Sequence, residues 1–244
     1  MNQYQDTFKR YEKKYLLSAG KYELLRFRLQ DYLTEDEYGK TTICNIYFDT
    51  PDHRLIRDSM EKPVYKEKLR LRSYGTPQEY DRVFIELKKK YKGVVYKRRV
   101  VSELSTAERY LYKLEPVCET SQITREIDWF LDFYENLKPA MYISYNRIAL
   151  YGREDNNLRI TFDSNILWRE NELWLERGVW GNPILKEGSW LMEIKIPGAM
   201  PLWLAHILNE LEIYPGSFSK YGKGYEESLI LKKYENKTGE VLYA

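Results

Sequence analysis

The chain has 244 residues, 43% hydrophobic and 15% aromatic, enough to bury one sizeable core. Its 39 basic and 37 acidic residues leave a net charge of +2, which excludes the strongly basic balance of a general nucleic-acid binder, and two histidines leave little scope for imidazole-based metal or triad chemistry. No apolar run approaches the roughly 20 residues of a membrane span and MNQYQDTFKRYEKK lacks a signal-peptide core, so a single cytoplasmic domain is expected.

Phe8–Leu17 reads as a strand and Lys21–Leu33 as a helix, with Leu25, Leu29 and Tyr32 on one face. Thr42–Asp49 is a strand that ends in YFDTPD, where Asp49, Pro51 and Asp52 turn into a short segment through Asp58. Cys44 lies on that strand and Cys118 far from it; without CxxC spacing they suggest neither zinc nor a disulfide framework. Strands follow at Val64–Tyr74, Arg82–Tyr91 and Gly93–Glu103, the last two joined by a hairpin at Tyr91-Lys92-Gly93. Ser105 with Glu108 predicts a capping box ahead of helical segments at Thr106–Leu114 and Gln122–Asn136. Beyond Pro139, strands are expected at Met141–Tyr151, Leu158–Trp168 and Trp190–Ile196, with Glu172–Gly181 a strand or extended hairpin. Pro201–Leu211 and Ser219–Tyr234 read as helices, and the tail NKTGEVLYA as loose. No internal repeat, low-complexity segment or linker interrupts the chain.

The polar residues of these strands obey a parity rule. In KEKLRLRS, Lys66, Lys68, Arg70 and Arg72 fall on one face, and Leu69 and Leu71 on the other. The same alternation groups Arg10, Glu12 and Lys14; Glu86, Lys88 and Lys90; Lys97 and Arg99; Arg159, Thr161 and Asp163; and Glu193 with Lys195, while Arg147 shares a face with Ile143 and Tyr145. Two geometries accommodate this. An open sheet would show its charges to water, with helices on the apolar face; a closed barrel would turn the apolar face outward under helices and enclose the charges as a lumen. Repeated Lys and Arg with interleaved carboxylates favour the lumen, because arginine forks and lysine charges neutralise phosphate oxygens while carboxylates hold a hard cation.

Eight segments in order, FKRYEKKYLL, NIYFDTPD, KEKLRLRSYG, FIELKKKYKGVVYKRRV, YNRIALYG, LRITFDSNI, LMEIKIPG and SFSKYGKGY, resemble the VTC domain, the catalytic domain of polyphosphate polymerases in the triphosphate tunnel (CYTH-like) superfamily. The resemblance spans about Phe8 to Lys232 and implies an α+β fold, an antiparallel closed β-barrel with helices packed outside and a basic tunnel within. It further implies transfer of the γ-phosphoryl group of ATP to a growing polyphosphate chain. Arg70, Arg72, Arg147, Lys14 and Lys223 are the implied catalytic cations, and Lys88, Lys97, Arg99, Arg159, Lys195 and Lys220 the implied phosphate ligands. Lys220 and Lys223 would sit on a helix closing one mouth. Glu193, helped by Glu12, Glu86 and Asp163, would hold Mn2+ or Mg2+. Lys66, Lys89, Lys90 and Lys92 read as surface charge. ATP and polyphosphate are the expected partners, nucleic acid is not, and coupling to transport would require a separate membrane protein; the sequence does not fix an oligomeric state. The first strand reads YEKKY and lacks the second glutamate of the ExExK signature of the superfamily's hydrolases, which favours polymerase over triphosphatase. A triphosphatase and a non-catalytic polyanion-binding module stay open as alternatives.

Overall fold

The computed structural model describes residues 11–92, 94–113, 115 and 121–241, with side chains as far as 233. Phe8–Arg10, Gly93, Leu114, Cys118 and the last three residues of the tail lie outside them.

Nine strands form one antiparallel sheet. They are β1 (Tyr11–Leu17), β2 (Leu33–Asp49), β3 (Tyr65–Tyr74), β4 (Arg82–Tyr91), β5 (Val94–Glu103), β6 (Lys138–Gly152), β7 (Arg159–Arg169), the two-residue β8 (Asn182–Pro183) and β9 (Trp190–Ile196). The order is β1-β9-β7-β6-β2-β3-β4-β5, with β8 added to β7. Among the described residues no ladder joins β1 to β5, so the expected hydrogen-bonded closure is not seen. The sheet nevertheless curls strongly. β1 and β4 are six strands apart along the order, about 29 Å on a flat sheet, yet Glu12 Oε2 of β1 lies 3.8 Å from Lys88 Nζ of β4. Charged side chains, rather than backbone hydrogen bonds, span the gap.

The curl separates an outer from an inner face, and the alternation assigns residues to each. Outside, Ile46, Phe48, Leu69, Leu71, Val83, Ile85 and Leu87 are buried under α3 (Leu104–Lys113) and α4 (Gln122–Phe133). On the same outer side, Tyr15, Leu17, Ile160, Phe162, Met192 and Ile194 pack against α1 (Ala19–Leu29) and α5 (Leu202–Glu210). A third cluster is internal: Ile43, Tyr47, Met141, Ile143 and Tyr145 meet Ile56 of α2 (Arg54–Met60) and Tyr221 and Tyr225 of α6 (Lys220–Val241), with Phe218 just ahead of α6. Gly224 permits this approach, since a Cβ there would stand 2.6 Å from Met141 Sδ and 3.4 Å from Trp168 Cβ. Asp49 fastens the same corner: its carboxylate accepts the Leu55 and Ile56 amides that open α2 and the Tyr221 hydroxyl of α6.

Several expected elements differ. The second strand begins at Leu33 rather than Thr42, because the polar run Thr34–Lys40 has no apolar period to reveal it. Helix α3 starts at Leu104, its first amides donating to the Asp81 and Glu79 carbonyls, so Ser105 is inside the helix and no Ser105–Glu108 box caps it. The capping box in this region belongs to Ser121 and Thr124 at the head of α4. Glu172–Gly181 is neither strand nor hairpin. It wraps Arg169, which is buried and donates to the carbonyls of Glu172, Trp174, Gly178 and Trp180, with only a short 3-10 turn at Leu175–Arg177. The last helix runs to Val241, past the expected end at Tyr234.

Candidate functional site

Strand register decides which inner-face charges are neutralised. Glu86 on β4 is paired across the ladders with Arg70 of β3 and Arg99 of β5, and it is 1% exposed. Arg70 Nε donates to it at 2.8 Å, Lys97 Nζ lies at 2.8 Å, Arg72 Nε at 3.7 Å, and Arg99 forks onto the same carboxylate. Burial opposes its charge, but Arg70, Arg72 and Lys97 hold its carboxyl far below the ordinary glutamate range. Arg72 also donates to Asn45 Oδ1 at 2.9 Å and to the Tyr145 hydroxyl at 3.3 Å, and Arg70 to the Tyr47 hydroxyl at 3.1 Å. Polar groups thus fix the planes of both guanidinium forks.

A second group forms at Asp163, fully buried on β7. Arg147, its cross-strand partner on β6, grips it with two hydrogen bonds of 2.6 and 2.7 Å, and Lys220 of α6 reaches it at 2.5 Å. Tyr145 lies between these cations, with Lys220 Nζ 4.3 Å from its ring centre. Burial would raise its hydroxyl, but Arg147, Arg72 and Lys220 draw it down to about 8.

A third group joins β1 and β9. Glu193 lies opposite Lys14 and Glu12 opposite Lys195. Lys195 Nζ is 3.2 Å from Glu193, and Lys14 Nζ is 3.7 Å from Glu12, so the two carboxylates share neighbouring lysines across the β1–β9 ladder. Burial opposes the Glu193 charge, but the neighbouring cations Lys195, Lys14 and Lys220 keep its carboxyl well below its usual range.

A row of lysines adjoins these groups. Lys68, Lys88 and Lys97 face one another directly across β3, β4 and β5, and Lys66 opposes Lys90 one step further along the strands; Lys97 has Glu86 and Lys88 has Glu12 as counter-charge, while Lys66, Lys68 and Lys90 have none within 4.0 Å among the described residues. Arg159 likewise opposes Lys195, and its Nε has no hydrogen-bond partner among the described residues. Like charges directly opposite on a sheet destabilise it, and a bound anion would relieve that repulsion. Lys68 is the clearest: burial, partly offset by Tyr47, and then Lys66, Lys14 and Lys88 lower its ammonium to about 8.

The expected site residues therefore converge, with exceptions. Lys223 does not join the inner-face groups: it pairs at 2.6 Å with Glu226 one turn further along α6 and is about half exposed. The four carboxylates do not form one metal set: Glu86 and Asp163 are each enclosed by cations, and among the described residues no three acidic, histidine or cysteine side chains gather as a cation cage. Glu12 and Glu193 alone sit together. That pair fits a hard divalent cation that draws its other oxygens from phosphate and water. Lys66, expected to be ordinary surface charge, is half-buried and donates to the Ser59 carbonyl of α2. Asn45, Tyr47 and Tyr145 were not singled out as site residues; the odd-numbered alternation in NIYFD and YISYNR would have placed them on the inner face.

The family model of the VTC domain matches residues 9–229. Among solved structures, a candidate adenylate cyclase from Bacillus halodurans is 17% identical, with 85% of this chain and 92% of that one covered at a TM-score of 0.51. A candidate adenylyl cyclase from Hippeastrum, described as having a dominant triphosphatase activity, is also 17% identical, with 88% and 95% covered at a TM-score of 0.50. At such identities the likeness is one of fold. Among curated proteins none matches.

Proposed function

Since the chain belongs to the VTC domain family, we propose that it is an ATP-dependent polyphosphate polymerase, working in the cytoplasm on the inner face of the curled sheet. The observation that carries this reading is the row of cross-strand lysines beside buried arginine forks, a surface with more cations than carboxylates and directed inward. A terminal phosphate oxygen of the chain attacks the γ-phosphorus of ATP, the bond from that phosphorus to the β,γ-bridging oxygen breaks, and ADP leaves while the chain gains one phosphate. The nucleophile is already ionised at neutral pH, so no general base is required, consistent with the absence of a histidine from the three charged groups. Positioning and charge neutralisation remain for the protein to supply. Arg70 and Arg72, oriented by Glu86, Tyr47, Asn45 and Tyr145, clamp the transferring phosphoryl oxygens. Arg147 and Lys220, held by Asp163, face the same space, and Lys68, Lys88 and Lys97 bind the neighbouring phosphates. Glu12 and Glu193 would hold Mn2+ or Mg2+, which would supply further neutralisation of phosphate charge.

A triphosphatase is the second reading. It is favoured by the seating of Phe218, Tyr221 and Tyr225 against β2 and β6, which fills part of the interior and restricts a through-path for a chain. Incubating the pure protein with ATP and Mn2+ separates the two. Long chains and ADP are expected; orthophosphate as the sole phosphate product would establish the hydrolase, and tight polyphosphate binding without turnover a binding module. Among the described residues no helix is long and apolar enough to cross a membrane.

A further inference from the structure

We propose that Lys66 and Lys90 form an additional anion subsite at the rim of the inner face, which holds the part of a linear polyphosphate that extends beyond the reacting phosphates. The inference deepens the phosphate-binding reading of the interior and rests on it.

The register makes the case. Along β3 and β4 the inner-face pairs run Arg72↔Phe84, Arg70↔Glu86, Lys68↔Lys88 and Lys66↔Lys90. Successive pairs are about 6.8 Å apart, two residues of strand rise. The inner pairs carry a counter-charge in Glu86, and Lys88 has one in Glu12 at 3.8 Å; among the described residues no carboxylate lies within 4.0 Å of Lys66, Lys68 or Lys90. Neutralisation therefore decreases stepwise from the arginines to the edge, the arrangement an extended polyanion would complete.

The outermost pair is also held in place. Lys66 donates to the Ser59 carbonyl at 3.2 Å, where α2 ends, which restrains its stem while two of its three ammonium donors stay available. Lys68, one step inward, reaches Ser219 Oγ at 3.3 Å, just before α6 begins. Contacts from the end of α2 and the start of α6 thus meet this lysine row, while the aromatic residues of α6 pack against β2 and β6 rather than against β3, β4 or β5. The outward-facing Lys89, between these positions, instead pairs with Glu126 at 3.7 Å. Strand β4 therefore separates a balanced lysine outside from unbalanced ones inside.

The test is equilibrium binding without turnover, with inorganic tripolyphosphate and long-chain polyphosphate as the two probes. K66Q/K90Q is expected to bind the long chain about tenfold more weakly while keeping wild-type affinity for tripolyphosphate and an equal or higher Tm. K66R/K90R should retain both affinities, as should K89Q/K113Q, which removes two charges outside the track. Equal loss for both probes, or no loss for either, overturns the rim subsite, as does the same loss in K89Q/K113Q. If the wild-type protein fails to bind tripolyphosphate, the interior reading fails first, and that result is distinguishable because it appears before any substitution is made.

Discussion

Lys68 and Lys97 keep their charges in partly dry surroundings, and burial lowers both ammonium groups to about 8. Both are therefore protonated at neutral pH and neutral at alkaline pH in the free protein, while a bound phosphate favours the protonated form and raises both values. Affinity for tripolyphosphate should be full below about pH 8 and fall about tenfold or more between about pH 7 and about pH 9.5; a flat titration-calorimetry profile would show that neither lysine meets the ligand. Stability in the absence of ligand runs the other way for these two groups. The unfolded chain holds their protons up to about pH 10.4, so between about 8 and that value the unfolded state binds more protons and their contribution improves as pH rises. Lys68→Met should accordingly raise the ligand-free unfolding free energy at neutral pH by on the order of 1 kcal/mol, seen in urea unfolding, while weakening tripolyphosphate binding. At this scale the sequence was legible where alternation was regular: Arg70, Arg72, Lys88, Lys97 and Arg99 share the inner face as expected. It failed at Lys223, three residues after the inward Lys220 on the same helix, which alternation along strands does not place and which pairs with Glu226 in solvent.

Helix α6 illustrates what belongs to the level of the element. Its own residue pattern, rich in Lys and Glu with scattered Tyr, does not place its first turns on the concave side of a sheet; only the family resemblance put this helix at one mouth. Phe218, Tyr221 and Tyr225 do so because Ile43, Tyr47, Met141, Ile143 and Tyr145 make one end of the inner face apolar, a feature hidden in strands whose alternation is otherwise charged. Gly224 sets the distance. Gly224→Leu is expected to lift α6 from Met141 and Trp168, lowering stability by about 1–3 kcal/mol in urea unfolding and weakening tripolyphosphate binding through the displaced Lys220. Unchanged stability would mean the helix can settle elsewhere at no cost. Strand β2 and the loop around Arg169 escaped the sequence for a related reason. Their order comes from partners distant in the chain, β6 for the polar half of β2 and a single buried guanidinium for residues 172–180, rather than from local periodicity.

The molecule as a whole is nearly neutral, +2, and concentrates uncompensated cations on one concave face while helices cover the outside of its sheet. Long-range attraction for polyanions in general should thus be weak, and selectivity should follow access to that face. At about 0.15 M salt, where surface charges are screened beyond roughly 8 Å, polyphosphate is expected to raise the Tm and duplex DNA to leave it unchanged; a comparable shift with DNA would point to an outer basic surface instead. The strand alternation, the outward packing of Leu69 and Leu71 and the family were legible in the order of residue types along the chain. Which cations are neutralised, which carboxylates stand together and how far the sheet curls emerged with the folded chain. Those are set by cross-strand register and by the approach of β1 to β4, and alternation, which assigns a side chain to a face, carries no information about its neighbour across the ladder.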